Sequence, residues 1–121
     1  RQLGRRYVLG VVTSGNRVRV ARQFREFGLT DTFAVRVCNE DAPRRKPHPA
    51  PMQVALRRLR LPPAECIYVG DAPEDVWMAR AMGVRTIGIL GPFPTHARLR
   101  AAKPLAVLPS IRALPAFLER L

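Results

Sequence analysis

The sequence predicts an α/β fold, a parallel sheet with helices on both faces, and three observations carry that prediction. Short apolar runs rich in Val and Ile alternate with stretches of helical periodicity from Tyr7 to the end of the chain. These runs are continuous rather than alternately polar, as befits strands covered on both sides. Polar turns close them, notably Thr13-Ser14-Gly15 and Gly70-Asp71, at the rim where open α/β sheets bind ligands. The length of 121 residues and mean hydropathy of −0.08 suit one soluble domain with a real core.

Arg1 to Arg6 reads as a helix end or a linker. Tyr7 to Val12 is the first strand, rich in β-branched residues. Asn16 is suited to cap the helix that follows, with Val20, Phe24 and Phe27 on one face, and Gly28 supplies a left-handed stop. Thr32 to Cys38 reads as the second strand, interrupted by Arg36. After the long loop Asn39 to Pro49, a helix carries Met52, Ala55, Leu56 and Leu59 on one face and ends at Pro62-Pro63.

Cys66 to Val69 is the strand on which the chain is organised. Pro73 suits the first turn of the next helix, which runs through Val76, Ala79 and Met82 to Gly83. Val84 to Leu90 is a further strand. After the loop at Gly91 to Pro94, Thr95 is positioned to cap a short helix reaching Ala102. Leu105 to Leu108 is expected at a sheet edge. Ser110 opens the last helical stretch, with Ile111, Leu114, Leu118 and Leu121 on one stripe and a restart at Pro115.

The formal net charge is +12, and all but two of the 21 basic residues are arginine. They are spread over helices and turns, with one tight cluster at Arg44-Arg45-Lys46. There is no basic region with heptads, no zinc-finger spacing and no aromatic RNA-binding signature, so a nucleic-acid partner is not expected. No apolar run approaches membrane-spanning length, and a membrane partner is not expected either. Cys38 and Cys66 have no metal-ligand spacing and read as buried thiols.

Asp71 and Asp75 lie at a strand end and the next helix's start. Two readings stand: Asp71 caps the helix while Asp75 complements its dipole, or the pair binds a hard cation such as Mg²⁺. Thr13, Ser14 and Gly15 offer a hydroxyl and backbone N–H groups suited to phosphate oxygens. Lys46 adds a positive charge. Singly, each is an ordinary strand-end or surface residue, and His48 a solvated turn residue. Three strand-end turns bearing them in this order suggest that they converge.

These stretches resemble the haloacid dehalogenase superfamily of phosphatases and related hydrolases over nearly the whole chain from Tyr7. Val11-Val12-Thr13-Ser14-Gly15-Asn16 is similar to the family's second motif. Lys46-Pro47-His48-Pro49-Ala50-Pro51 is similar to its third, and Tyr68-Val69-Gly70-Asp71-Ala72-Pro73-Glu74-Asp75 to its fourth. Phe27-Gly28-Leu29-Thr30-Asp31-Thr32-Phe33 is similar to the phosphoglycolate phosphatase-like and β-phosphoglucomutase-like branch.

The resemblance implies a cytoplasmic Mg²⁺-dependent phosphatase acting on a phosphorylated small molecule through an aspartyl-phosphate. In it, Asp71 would ligate the metal, with Asp75 helping directly or through a water. Thr13, Ser14 and Gly15 would hold the phosphoryl oxygens. Lys46 would bind the phosphoryl group and keep the nucleophile ionised.

The family's first motif, an Asp-x-Asp-x-Thr or Asp-x-Asp-x-Ser that supplies the nucleophile, is not found among these residues. The resemblance therefore implies a partial core domain over 1–121, holding motifs two to four without the first, central strand or the cap. An upstream segment would complete sheet and site, and the strands ending at Thr13 and Asp71 would leave a slot or pair directly. A non-catalytic phosphate-binding or assembly module and a basic nucleic-acid-binding domain are the alternative functions.

Overall fold

A computed structural model describes residues 6–92 and 96–121. The chain runs β1 (Gly10–Val12), α1 (Arg17–Glu26), β2 (Val35–Val37), α2 (Ala50–Leu59), β3 (Ile67–Gly70), α3 (Pro73–Ala81), β4 (Arg85–Ile89), α4 (His96–Ala101), β5 (Ala106–Leu108) and α5 (Leu114–Arg120). All the pairings are parallel, but they form two sheets: β1 beside β2, and β3-β4-β5 with β5 at the edge. No described helix is long and apolar enough to cross a membrane.

Between the two sheets lies a cavity of about 370 Å³. Leu9, Gly10 and Val12 line it on one side, Ile67, Tyr68 and Val69 on the other. Met52 and Leu56 of α2 and Leu114 and Leu118 of α5 complete its walls. Of the two outcomes expected for the strands ending at Thr13 and Asp71, the slot is the one observed.

The slot explains why the strands are shorter than their apolar runs. Among the described residues β1 pairs with β2 as its one neighbouring strand, over Gly10–Val12, while Tyr7 and Val8 are exposed. β2 shrinks likewise, from an expected Thr32–Cys38 to Val35–Val37.

The helices form for the expected local reasons in most places. Asn16 Oδ1 accepts the Arg19 N–H at 2.8 Å, capping α1, and Gly28 takes φ 66°. Phe27 departs from expectation: it is the C-cap of α1, past the buried face, and lies exposed. α2 stops at Arg60, whose left-handed φ of 57° and N–H to Leu56 O end it before Pro62-Pro63. Ser110 and Pro115 behave as read, a 3₁₀ turn at Ile111–Ala113 leading into α5. Ile111 and Leu121 are exposed while Leu114 is buried. The Thr95 cap and the Arg1–Arg5 part of the first stretch fall outside the described residues.

The main core joins α2 to α3: Met52 and Leu56 pack with Met78, Ala79 and Val84, and Val12 and Tyr68 lean on them. Met78 and Ile87 are fully buried, each contributing on the order of 2 kcal/mol. A second cluster of Val76, Leu99 and Ala102 fixes α4 against α3.

Candidate functional site

β1 and β2 are parallel and end on one side of their sheet, and the Lys46–Asp75 contact brings the carboxyl end of β3 to the same rim. Thr13 leaves β1 with its N–H still bonded to Val37 O at 2.9 Å. Its hydroxyl accepts the Gly15 N–H at 3.1 Å, and Gly15 O in turn accepts the Asn39 N–H at 2.9 Å. The Thr13-Ser14-Gly15 turn is thereby tied to the end of β2.

Lys46 arrives from a loop stiffened by Pro43, Pro47 and Pro49, its bond to Pro47 being cis. Within that loop the His48 N–H donates to Arg45 O at 2.9 Å. His48 is more than a solvated turn residue, because its Nδ1 accepts the Ala50 N–H at 3.0 Å and holds the start of α2. The Lys46 ammonium reaches β3's turn and meets Asp75 Oδ1 at 2.7 Å.

Asp75 is 3% exposed and spends both oxygens on donors. Oδ1 takes Lys46, and Oδ2 accepts the N–H groups of Asp71 and Ala72 at 3.1 Å each. The residue that caps α3 is therefore Asp75, at the third helical position, with Ala72 as N-cap. This corrects the cap reading that gave the role to Asp71. Asp71 itself is exposed on the rim, its Oδ2 beside Gly91 at the end of β4.

Gly70 is obligatory here. A Cβ built on it would lie 2.5 Å from Asp75 Cβ, Cγ and Oδ2. The missing side chain is what lets the carboxylate fold back over the strand end.

Tyr68 opens the stretch similar to the family's fourth motif, and the sequence assigns its hydroxyl no role. Its hydroxyl stands 3.4 Å from Asp75 Oδ1 and 3.5 Å from Val12 O across the slot. Burial, and next the Asp75 charge, push this phenol well above its usual range. The signal was available: Tyr68 and Gly70 are two apart on one strand and share a face.

A chain of contacts thus joins the expected residues. Thr13, Ser14 and Lys46 line one narrow crevice of about 10 Å³, together with Asn39, Arg44 and Arg45. Lys46 bonds Asp75, and Asp75 bonds the backbone of Asp71. Cys38 also borders the crevice, and burial raises its thiol. Cys38 and Cys66 are both free thiols, Cys66 only half-buried.

Among the described residues no three His, Cys, Asp or Glu side chains gather as a metal centre. With both Asp75 oxygens already engaged, the residues present do not by themselves form a Mg²⁺ site. Asp71 is the carboxylate on this rim suited to supply one ligand of such an ion.

A family model described as haloacid dehalogenase-like hydrolase matches residues 2–89. Pyrophosphatase PpaX of Bacillus pumilus is 38% identical over 85 residues, which is 70% of this chain and 39% of that protein. Phosphoglycolate phosphatase of Yersinia pestis is 31% identical over 100 residues, 83% of this chain and 43% of that one. The structure of a CbbY variant from Rhodobacter sphaeroides with xylulose-(1,5)bisphosphate superposes with a TM-score of 0.76 at 28% identity, covering 85% of this chain and 46% of its own. The chain spans less than half the length of each of these three proteins.

Proposed function

The chain belongs to the haloacid dehalogenase-like hydrolases, and from that premise we propose that it is the phosphate-gripping part of a phosphatase acting on a phosphorylated small molecule. Relatives named for pyrophosphate and phosphoglycolate support that substrate class. The observation that carries the reading is the rim itself: Thr13 and Lys46 line one crevice, with the Lys46 ammonium anchored on Asp75 at 2.7 Å.

The Thr13 hydroxyl and the Ser14 backbone bind the phosphoryl oxygens, joined by the Gly15 N–H once it is released from Thr13 Oγ1, and Lys46 offsets their charge as phosphoryl transfer needs. Asp75 is a positioning residue, holding Lys46 and the β3–α3 turn. Asp71 would supply one ligand to a Mg²⁺ ion completed by residues outside this chain, and such an ion would polarise the phosphoryl group. The attacking carboxylate that forms the aspartyl-phosphate is not among these 121 residues. It belongs on a strand lying in the slot between β1 and β3, where its carboxyl end would meet Thr13 and Asp71.

Two measurements test the proposal. Inorganic phosphate, titrated into the labelled chain, is expected to shift the amide signals of Thr13, Ser14 and Lys46, and Lys46→Ala to weaken binding about tenfold. With Mg²⁺ and an aryl phosphate, the chain alone is expected to show no turnover, and calorimetry to find Mg²⁺ affinity of about millimolar or weaker. Shifts confined to other surfaces, or turnover abolished by Asp71→Asn, would refute the reading.

A further inference from the structure

A pocket of about 290 Å³ lies at the amino ends of β4 and β5, on the edge of their sheet opposite the rim. Thr86 of β4 forms part of its wall and is 3% exposed. Its side chain points into the layer of α3 and α4. Gly88, two residues on, shares that face, and a Cβ there would meet Leu99 of α4. Val76 and Arg80 of α3 line the pocket together with Thr86. Among the described residues the Thr86 hydroxyl has no hydrogen-bond partner. A buried hydroxyl left unpaired is costly, and such groups are few in folded proteins.

The charge around it is of one sign. Arg80, Arg85 and Lys103 line the pocket, and no acidic residue does. Arg80 is committed to structure: its guanidinium donates to Ala102 O and, at 3.0 Å, to Lys103 O. That strap fixes the loop carrying Lys103, and the Leu105 N–H holds the same loop to Thr86 O at 2.8 Å. Arg85 and Lys103 are exposed, and among the described residues neither forms an ion pair. Lys103 takes φ 57°, a left-handed position at a helix end where glycine is the ordinary choice, so the turn itself does not call for lysine. Cations at such a place commonly complement helix C-termini. Arg80 already does so for α4, and that role leaves the orphan hydroxyl unexplained. The pocket also has an apolar side, with Val76 buried and Leu105 45% exposed.

We propose that this pocket binds a small organic anion. Its oxyanion head, a carboxylate or a phosphoryl group, accepts from the Thr86 hydroxyl and is offset by Arg85 and Lys103, while an apolar body rests on Val76 and Leu105. The candidate phosphate cradle lies at carboxyl ends of strands and this pocket at amino ends. Both can therefore be filled at once, and the proposal stands apart from the reading of the cradle.

Amide spectra of the labelled chain test it with three probes that share one ring: benzoate, phenylphosphonate and the neutral benzyl alcohol. The anions are expected to move the signals of Thr86, Lys103 and Leu105 with a Kd of about a millimolar, and benzyl alcohol to bind at least about tenfold more weakly. Thr86→Val keeps the shape and removes the unpaired hydroxyl, so the fold is retained. It is expected to weaken the anions about fivefold, and Thr86→Ser to restore them. In the double variant Arg85→Gln, Lys103→Gln the anions lose their advantage over benzyl alcohol. Arg22→Gln with Arg57→Gln, exposed on α1 and α2, removes the same charge and is expected to preserve it.

A response to benzoate alone identifies the head as carboxylate; a response to phenylphosphonate alone identifies it as phosphoryl. The site is refuted if the signals of Thr86, Lys103 and Leu105 stay in place, or if benzyl alcohol binds as well as the anions. Unchanged binding in Thr86→Val, or an advantage lost equally in the Arg22/Arg57 variant, refutes it too. Shifts at Thr13, Ser14 and Lys46 report on the cradle separately, so either reading can fail while the other holds.

Discussion

Asp41 accepts from three donors among the described residues. The Cys38 N–H donates at 2.8 Å, and the Arg17 and Arg58 guanidinium groups at 2.7 and 3.1 Å. The backbone bond from Cys38 is the main cause holding its carboxyl down at about 2, against the cost of burial and with help from the arginines. A carboxyl depressed on folding stabilises the protein above its unfolded value near 4, and that contribution is lost as pH falls through about 2. Asp41→Asn is therefore expected to lower stability at neutral pH by on the order of 2 kcal/mol. In urea melts the gap between the two proteins should close between about pH 4 and pH 2.

At this scale the sequence was legible in identity and ambiguous in role. Thr13, Lys46, Asp71 and Asp75 stood out because each ends a strand or interrupts a proline run. Which aspartate caps α3 was not readable, because the choice depends on Asp75 folding back over Gly70. The roles of Asp41 and Tyr68 were not readable because each also meets a partner distant in sequence, Arg58 for one and Val12 for the other.

Among the elements, the β3–α3 turn is the most tightly determined. Its geometry depends on Gly70 having no side chain, since a Cβ would fall 2.5 Å from Asp75. Gly70→Ala is expected to cost on the order of 1–3 kcal/mol by overpacking and to disturb Lys46 along with Asp75. The check is a denaturation midpoint read beside phosphate affinity, and both should fall. Gly88→Ala, whose Cβ would meet Leu99 side-chain carbons first, at 3.1 to 3.2 Å, should affect stability alone.

Helix identity was legible throughout, because apolar periodicity and caps such as Asn16 and Ser110 are local signals. Strand length was not. Tyr7 and Val8 have the composition of a strand but no second neighbour to bond, and composition cannot report a missing partner. The end of α2 shows the same limit: the double proline was the visible stop, whereas Arg60 had already turned the chain.

For the whole molecule, parallel α/β order was written in the alternation of apolar runs and helices, whereas the split into two sheets was not, since no local pattern reports which strands pair. Surface charge was a weaker guide. A net charge of +12 pointed towards polyanions in general, yet several arginines are committed to structure: Arg17 and Arg58 on Asp41, and Arg80 on the carbonyls of Ala102 and Lys103.

α2 packs on β1 and β2 and also on α3, with Met52 and Leu56 seated against Met78 and Val84. It acts as a clasp between two lobes that share no backbone ladder across their seam. Neither lobe can let go of this helix without loosening the other. Hydrogen exchange is therefore expected to show the amides of Val11 and Val69 opening at one common free energy, as a single cooperative unit; two well-separated values would mean that the lobes come apart independently.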